Sequence, residues 1–162
     1  MRLTLILLIA LLSAPAMAQN IGPETGLQMP RFVSLKAASG NVRRGPGLSH
    51  RIDWEFLHRG TPLMVVAEYD NWRQVRDVDG QGGWIHFSLL SGNRTVLVQA
   101  ETLPLYAEPT EDARIVARAE DGAILLVVEC TGDWCSVTAD GHEGYAQAAA
   151  IYGTDADLSD QD

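Results

Sequence analysis

Two stretches of this chain are written to one plan. Leu63 to Ile85, LMVVAEYDNWRQVRDVDGQGGWI, aligns with Leu125 to Ala146, LLVVECTGDWCSVTADGHEGYA. Val65-Val66 falls on Val127-Val128, Trp72 on Trp134 and Val75 on Val137. After a one-residue gap, Gly80 falls on Gly141, Gly83 on Gly144 and Trp84 on Tyr145. Upstream, Val42 matches Leu105, Pro46 matches Pro109, Arg51-Ile52 matches Arg114-Ile115 and Gly60 matches Gly122. The offset drifts only from 63 to 61, so the chain carries a duplicated unit of about 60 residues. A unit of that size is near the lower limit for a self-sufficient core, and two units packed together are expected.

Each unit reads as all-β. Leu63 to Tyr69 and Ile124 to Cys130 are β-rich apolar runs, followed by turns at Asp70-Asn71 and Thr131-Gly132-Asp133. Return strands begin at Trp72 and Trp134, and Gly-aromatic-apolar strands follow the turns at Val78–Gly82 and Ala139–Gly141. No segment keeps helical periodicity, and Ala146–Ile151 reads as a short turn or 3₁₀ piece. Short strands at close turn spacing indicate a small barrel or sandwich.

The chain opens with MRLTLILLIALLSAPAMA, which has the three parts of a secretory signal: Arg2, the apolar run Leu3–Leu12, and the small-x-small site Ala16-Met17-Ala18. The run is half the roughly 20 residues a spanning helix needs. Cleavage after Ala18 is expected, giving a soluble periplasmic or secreted protein. Without residues 1–18 the chain has 11 basic and 21 acidic side chains, which speaks against a general nucleic-acid binder. Residues 31–94 carry a net +3 and residues 95–162 a net −12. The two halves should attract one another, and the arginine-bearing half suits an anionic ligand.

In an exported chain, Cys130 and Cys135 read as a structural disulfide. Alternation places Leu126, Val128 and Cys130 on one face, with Cys135 sharing a core-facing side with Val137. Closing so short a loop contributes about 2 kcal/mol. Metal ligation is not expected, because the four histidines (His50, His58, His86, His142) are scattered without ligand spacing. No histidine neighbours a nucleophile, and His142, Glu143 and Asp140 sit on a turn whose first-repeat match, Gln81-Gly82, lacks the set. A non-catalytic chain without a cofactor is expected. Gln19 to Pro30 reads as a flexible lead, and the acidic tail 154–162 as disordered.

Asn41 to Pro46 (N-V-R-R-G-P), His58-Arg59-Gly60, Leu63 to Asp77 and Gly83 to Gly92 (G-W-I-H-F-S-L-L-S-G) resemble the bacterial SH3-like family. The type most similar is the exported tandem protein of Gram-negative bacteria. The resemblance spans about residues 31–152, with repeats at 31–93 and 94–153; the second replaces N-V-R-R-G-P by Pro104-Leu105-Tyr106-Ala107-Glu108-Pro109. It implies two tandem SH3-like five-stranded, partly open barrels and a binding role in the cell envelope. Wider family members are often attached to cell-wall hydrolases and hold peptidoglycan or protein segments. The implied ligand is an extended segment, such as a peptidoglycan stem peptide whose carboxylates suit Arg43 and Arg44, or a proline-containing protein tail. The alternative is a protein–protein adaptor with no wall binding. Either way a monomer is expected, with no membrane contact after signal cleavage.

Arg43, Arg44, Tyr69, Trp72 and Arg76 are the candidate ligand-binding residues, an aromatic and basic patch on the outer face of the first repeat. The competing placement packs Trp72 and Trp134 against each other's repeats. Trp54 and Trp84 read as core or barrel-lid residues, since Ile52, Trp54 and Phe56 alternate.

Overall fold

The computed structural model describes residues 20–159, so the expected signal segment lies outside the described residues. The first unit runs β1 (Arg31–Leu35), β2 (Gly40–Arg43), β3 (Ile52–Phe56), β4 (Pro62–Tyr69), β5 (Trp72–Arg76), β6 (Gly82–His86), a 3₁₀ turn Phe87–Leu89, and β7 (Leu90–Ser91). The second runs β8 (Thr95–Val98), β9 (Thr102–Tyr106), β10 (Ile115–Glu120), β11 (Ile124–Thr131), β12 (Trp134–Ala139), β13 (His142–Gln147), a 3₁₀ turn Ala148–Ala150, and β14 (Ile151–Tyr152). The sheet orders, β3-β2-β6-β5-β4-β1-β7 and β10-β9-β13-β12-β11-β8-β14, are the same permutation. The chain is thus an all-β tandem. Each sheet has seven strands where five were expected, because the segment between the first strand and the long one is itself a paired hairpin, β2–β3 or β9–β10. The edge strands of a sheet do not pair with each other, so each sheet stays open and curls around its own core.

The cores follow the repeat. Val65 pairs with Val75 and Val127 with Val137, all buried. Leu35, Val42, Leu63 and Ile85 complete the first core; Val98, Leu105, Leu125 and Ile151 are prominent in the second. The matched Gly83 and Gly144 lie where β2 and β9 cross closest: a Cβ on Gly83 would stand 2.7 Å from the Arg43 carbonyl oxygen, and one on Gly144 3.2 Å from that of Tyr106.

Both long strands carry a bulge. The β4–β5 register slips between Val65 and Ala67, and the β11–β12 register between Val127 and Glu129. The bulge corrects the simple alternation. Leu126 is exposed and Val128 is 70% exposed, whereas Leu125 and Val127 are buried. The inserted residue reverses the phase, so that Cys130 joins the inner face with Leu125 and Val127.

The repeats meet through a third apolar cluster. Phe32, Met64 and Tyr152 are buried together, flanked by Val66, Val78, Leu97 and Leu158. The Phe32 and Tyr152 rings meet edge to face at 5.2 Å. Met64 reaches this junction while Leu63 and Val65 face the barrel core, so the run Pro62–Val65 is apolar because β4 is covered on both sides. Burial first, then the Asp157 and Asp77 carboxylates, push the Tyr152 phenol up to about 12. Thr95 Oγ1 donates to the Gly60 carbonyl at 2.5 Å. Among the described residues no ion pair joins the two repeats; Arg94 to Asp155, at 2.9 Å, ties the tail to the second repeat itself. Apolar contact, more than charge, holds the junction.

Neither terminal segment behaves as composition indicates. The described part of the lead forms a loop bridged at Ile21–Gln28 and docked on Glu68. The described part of the tail folds back: Asp157 accepts from Gly153 N, Thr154 N and Thr154 Oγ1, and a helical turn, α1 (Ala156–Ser159), follows. Specific hydrogen bonds on the two barrels supply what local hydrophobicity lacks.

Phe32→Ala removes the ring at the junction and should destabilise the chain by about 3–5 kcal/mol. Scanning calorimetry should then resolve two melting transitions in place of one cooperative transition.

Candidate functional site

Trp72 opens β5 immediately after the Asp70-Asn71 turn, where Asp70 takes a left-handed φ of 48°. It stands opposite Tyr69 on β4 and His86 on β6. Its ring packs edge to face on His86 at 5.5 Å and is largely buried. Beside it runs a groove of about 270 Å³ lined by Ser39, Asn41, Arg43, Leu48, His86 and Leu89. Arg43 Nη1 donates to the carbonyls of Leu48 (3.0 Å) and His50 (2.7 Å), so this guanidinium fixes the loop that walls the groove.

The other candidates lie elsewhere. Arg44 Nε donates to Asp53 Oδ2 at 2.9 Å and Arg51 Nε to Asp53 Oδ1 at 2.6 Å. The hydrogen bond from Arg44, then that from Arg51, holds the Asp53 carboxyl below its usual range. Tyr69 is 60% exposed at the hairpin end and does not line the groove. Arg76 is exposed at the far end of β5, about 13 Å along the strand from Trp72. Of the five candidates, the groove brings together Arg43 and Trp72.

The second repeat has a counterpart. Trp134 packs edge to face on Tyr106 at 5.5 Å and lines a groove of about 450 Å³ with Pro109, Val128 and Tyr145. Each tryptophan therefore packs on a ring within its own barrel. The placement of Trp72 and Trp134 at the repeat junction is corrected: Phe32, Met64 and Tyr152 occupy that place.

A larger groove, of about 670 Å³, runs where the two repeats meet. Trp54, Leu57, Pro62 and Val78 of the first repeat line it with Leu97 and Ile124 of the second. Trp54, read as core or lid from its alternation, is 41% exposed; on edge strand β3 only Phe56 reaches the core. Trp84 is half-buried. This groove is built from residues of the two repeats about 20 to 70 positions apart, and its one sequence signal is the apolar pair Trp54 and Leu57 in the stretch Ile52–Leu57.

One position past the bulge on the inner face, the repeats differ in chemistry. Cys130 pairs directly across the hairpin with Cys135, and the expected bridge is formed. At the matched positions of the first repeat, Glu68 pairs with Arg73. The Glu68 side chain is fully buried. It accepts from Arg31 Nη2 at 2.7 Å, Thr25 Oγ1 at 2.7 Å, and the backbone N–H of Glu24 and Thr25 at 3.0 Å each; Arg73 Nε stands 3.5 Å away. Burial pushes the carboxyl up, but the hydrogen bonds from Thr25, Arg31 and the two amides outweigh it and hold it at about 2.

With this geometry in place, comparison with known proteins identifies the class. The bacterial SH3 domain family matches residues 36–92 and 99–153, and the chain belongs to that family, present in two copies. It is 22% identical over 147 residues to a Bacillus subtilis protein named "Putative N-acetylmuramoyl-L-alanine amidase YrvJ", covering 78% of this chain and 28% of that one. The chain therefore spans little more than a quarter of that relative. Among solved structures, NlpC2 and NlpC1 of Trichomonas vaginalis align with a TM-score of 0.36 each, at 13% and 14% identity, over 79% and 83% of this chain and 49% of each of theirs.

Because the folded Glu68 is held acidic, it stabilises the fold fully above its unfolded value near 4.5, and that contribution is lost as pH falls towards about 2. The loss should be on the order of 3 kcal/mol. Amide protection at residues 22–25, corrected for the intrinsic exchange rate at each pH, should fall across that window, and Glu68→Gln should flatten the dependence.

Proposed function

We propose that this chain is a non-catalytic binding module of the bacterial cell envelope that holds an extended peptidoglycan stem peptide in the Trp72 groove. The observation that carries the reading is the groove itself: an aromatic floor, the polar Asn41 and His86, and a loop wall pinned by Arg43, on a bacterial SH3 barrel. The B. subtilis relative is named as a putative amidase of N-acetylmuramoyl-L-alanine, which motivates the choice of ligand class. Hydrolysis is not carried over with it. The two cysteines are bonded to each other, which removes a thiolate nucleophile. The bridge also fits an oxidising compartment, consistent with export after cleavage following Ala18.

Pull-down of the mature chain on purified sacculi tests this. Wild type should sediment with the wall at low salt. Leu48→Asp, at an exposed groove position, should weaken binding about tenfold, equivalent to about 1.4 kcal/mol. Arg44→Ala should bind as wild type, because its exposed ion pair lies outside the groove. Wild type left in the supernatant would sink the wall-binding reading.

A second reading, a protein–protein adaptor, is favoured by the junction groove. It runs beside edge strand β3, whose unpaired backbone can accept an added strand while apolar side chains enter between the repeats. A photo-crosslinking residue at Leu57, 62% exposed, separates the two. One dominant protein adduct in cells is the adaptor outcome; no adduct at Leu57 with intact sacculus binding leaves the wall module.

A further inference from the structure

The outer face of β11 is apolar and open to solvent. Leu126 is 44% exposed and Val128, which lines the Trp134 groove, is 70% exposed, while the alternating Leu125 and Val127 are buried. In the first repeat the matched residues, Met64 and Val66, pack into the junction with the second barrel. The second repeat keeps both positions apolar and leaves them uncovered. With Pro109, Trp134 and Tyr145 they continue into one groove of about 450 Å³. Contiguous exposed apolar side chains of this kind mark a surface where something docks.

Charge selects the partner. No basic side chain lines this groove, and of its lining residues Glu129 alone is charged. Glu129 stands across from Ser136, in the place that Ala67, across from Gln74, has in the first repeat. Tyr106, whose ring packs on Trp134, takes the place of Arg43. The equivalent groove has thus lost a cation and gained an anion. Gln147, directly across β12–β13 from Trp134, donates to Glu111 Oε1 at 2.5 Å and brings a second carboxylate to this end of the sheet. Among the described residues neither carboxylate has an ion-pair partner. The two basic residues beyond Arg94, Arg114 and Arg118, lie outside the groove, and Arg94 is held by Asp155 and the Gly153 carbonyl.

We propose that the outer face of β11 and the Trp134 groove form a docking surface for an extended, basic segment of a protein partner. Leu126 and Val128 stand about 7 Å apart, the spacing of alternate residues in an extended chain. Apolar side chains of the segment lie on them, and its lysines or arginines meet Glu129, Glu111 and the aromatic rings of the groove. Both edges of β11 are already paired, with β12 and β8, so recognition is by side chains and not by strand addition. The Trp134 groove shares no lining residue with the Trp72 groove or the junction groove, so failure of the sacculus or Leu57 experiment does not touch this proposal.

The test is an NMR titration of the ¹⁵N-labelled chain with a blocked heptapeptide that alternates lysine and valine. The expected result is a saturable shift of the Val128, Glu129 and Thr131 amides and the Trp134 indole N–H, with Kd below about 1 mM. The same peptide with glutamate for lysine should give no shift. With serine for valine it should bind at least about fivefold more weakly; equal affinity overturns the proposal in favour of unspecific charge attraction. Val128→Ser and Glu129→Lys change exposed side chains outside the core, and each should weaken binding at least about fivefold. Absence of a saturable shift, shifts confined to the Trp72 or junction groove, or unchanged affinity in both variants overturns the proposal. Shifts of the same amides on raising the protein concentration without peptide overturn it in favour of a second copy of this chain.

Discussion

The cross-strand pair at the tip of each central hairpin is the constraint on which much else rests. In the second barrel it is covalent, Cys130 to Cys135. In the first it is ionic, Glu68 to Arg73, and the carboxylate is buried among five donors. A buried charge is tolerated only when such partners replace its lost water. Four of those donors, from Glu24, Thr25 and Arg31, lie at or before the first strand, so one side chain folds the lead onto the barrel. Both solutions depend on the same bulge, without which residues 68 and 130 would face solvent.

The two barrels share a fold and differ in what they offer. The first carries the Trp72 groove, a lead docked on its side, and most of the arginines. The second has its own tryptophan groove, but Pro109 and Glu129 stand around it in place of arginine. Its acidic excess is not spent on binding the first barrel: among the described residues no ion pair joins the repeats, and Arg94 to Asp155 lies within the second. The junction instead relies on Phe32, Met64 and Tyr152, and the groove along it exists only because two barrels are packed side by side.

An SH3 barrel presents its loops and edge strands as separate surfaces, so one such fold can hold several ligands without shared residues. In this chain the Trp72 groove, the junction groove and the Trp134 groove have no lining residues in common. Arg43 illustrates how closely structure and binding are tied, since the guanidinium that faces one groove also pins the loop beside it. Arg44, its neighbour, is taken up by Asp53 on the open surface.

The duplication, the β character, the core valines and the disulfide could be read directly from the chain, because they rest on local periodicity and on two copies of one pattern. The 3₁₀ piece at Ala148–Ala150 was legible for the same reason. Adjacent charges were not assignable: nothing in the order Arg43-Arg44 says that one turns to loop carbonyls and the other to Asp53. The bulges at Val66 and Val128 were silent too, and they change the phase of the long strands, turning Leu126 and Val128 outward while Cys130 stays inside. The sequence by itself determined a tandem of small β units; only the tertiary structure decided which side chains share a groove. Strand alternation is a local property, whereas grooves, junctions and buried charges are made by residues brought together from distant strands.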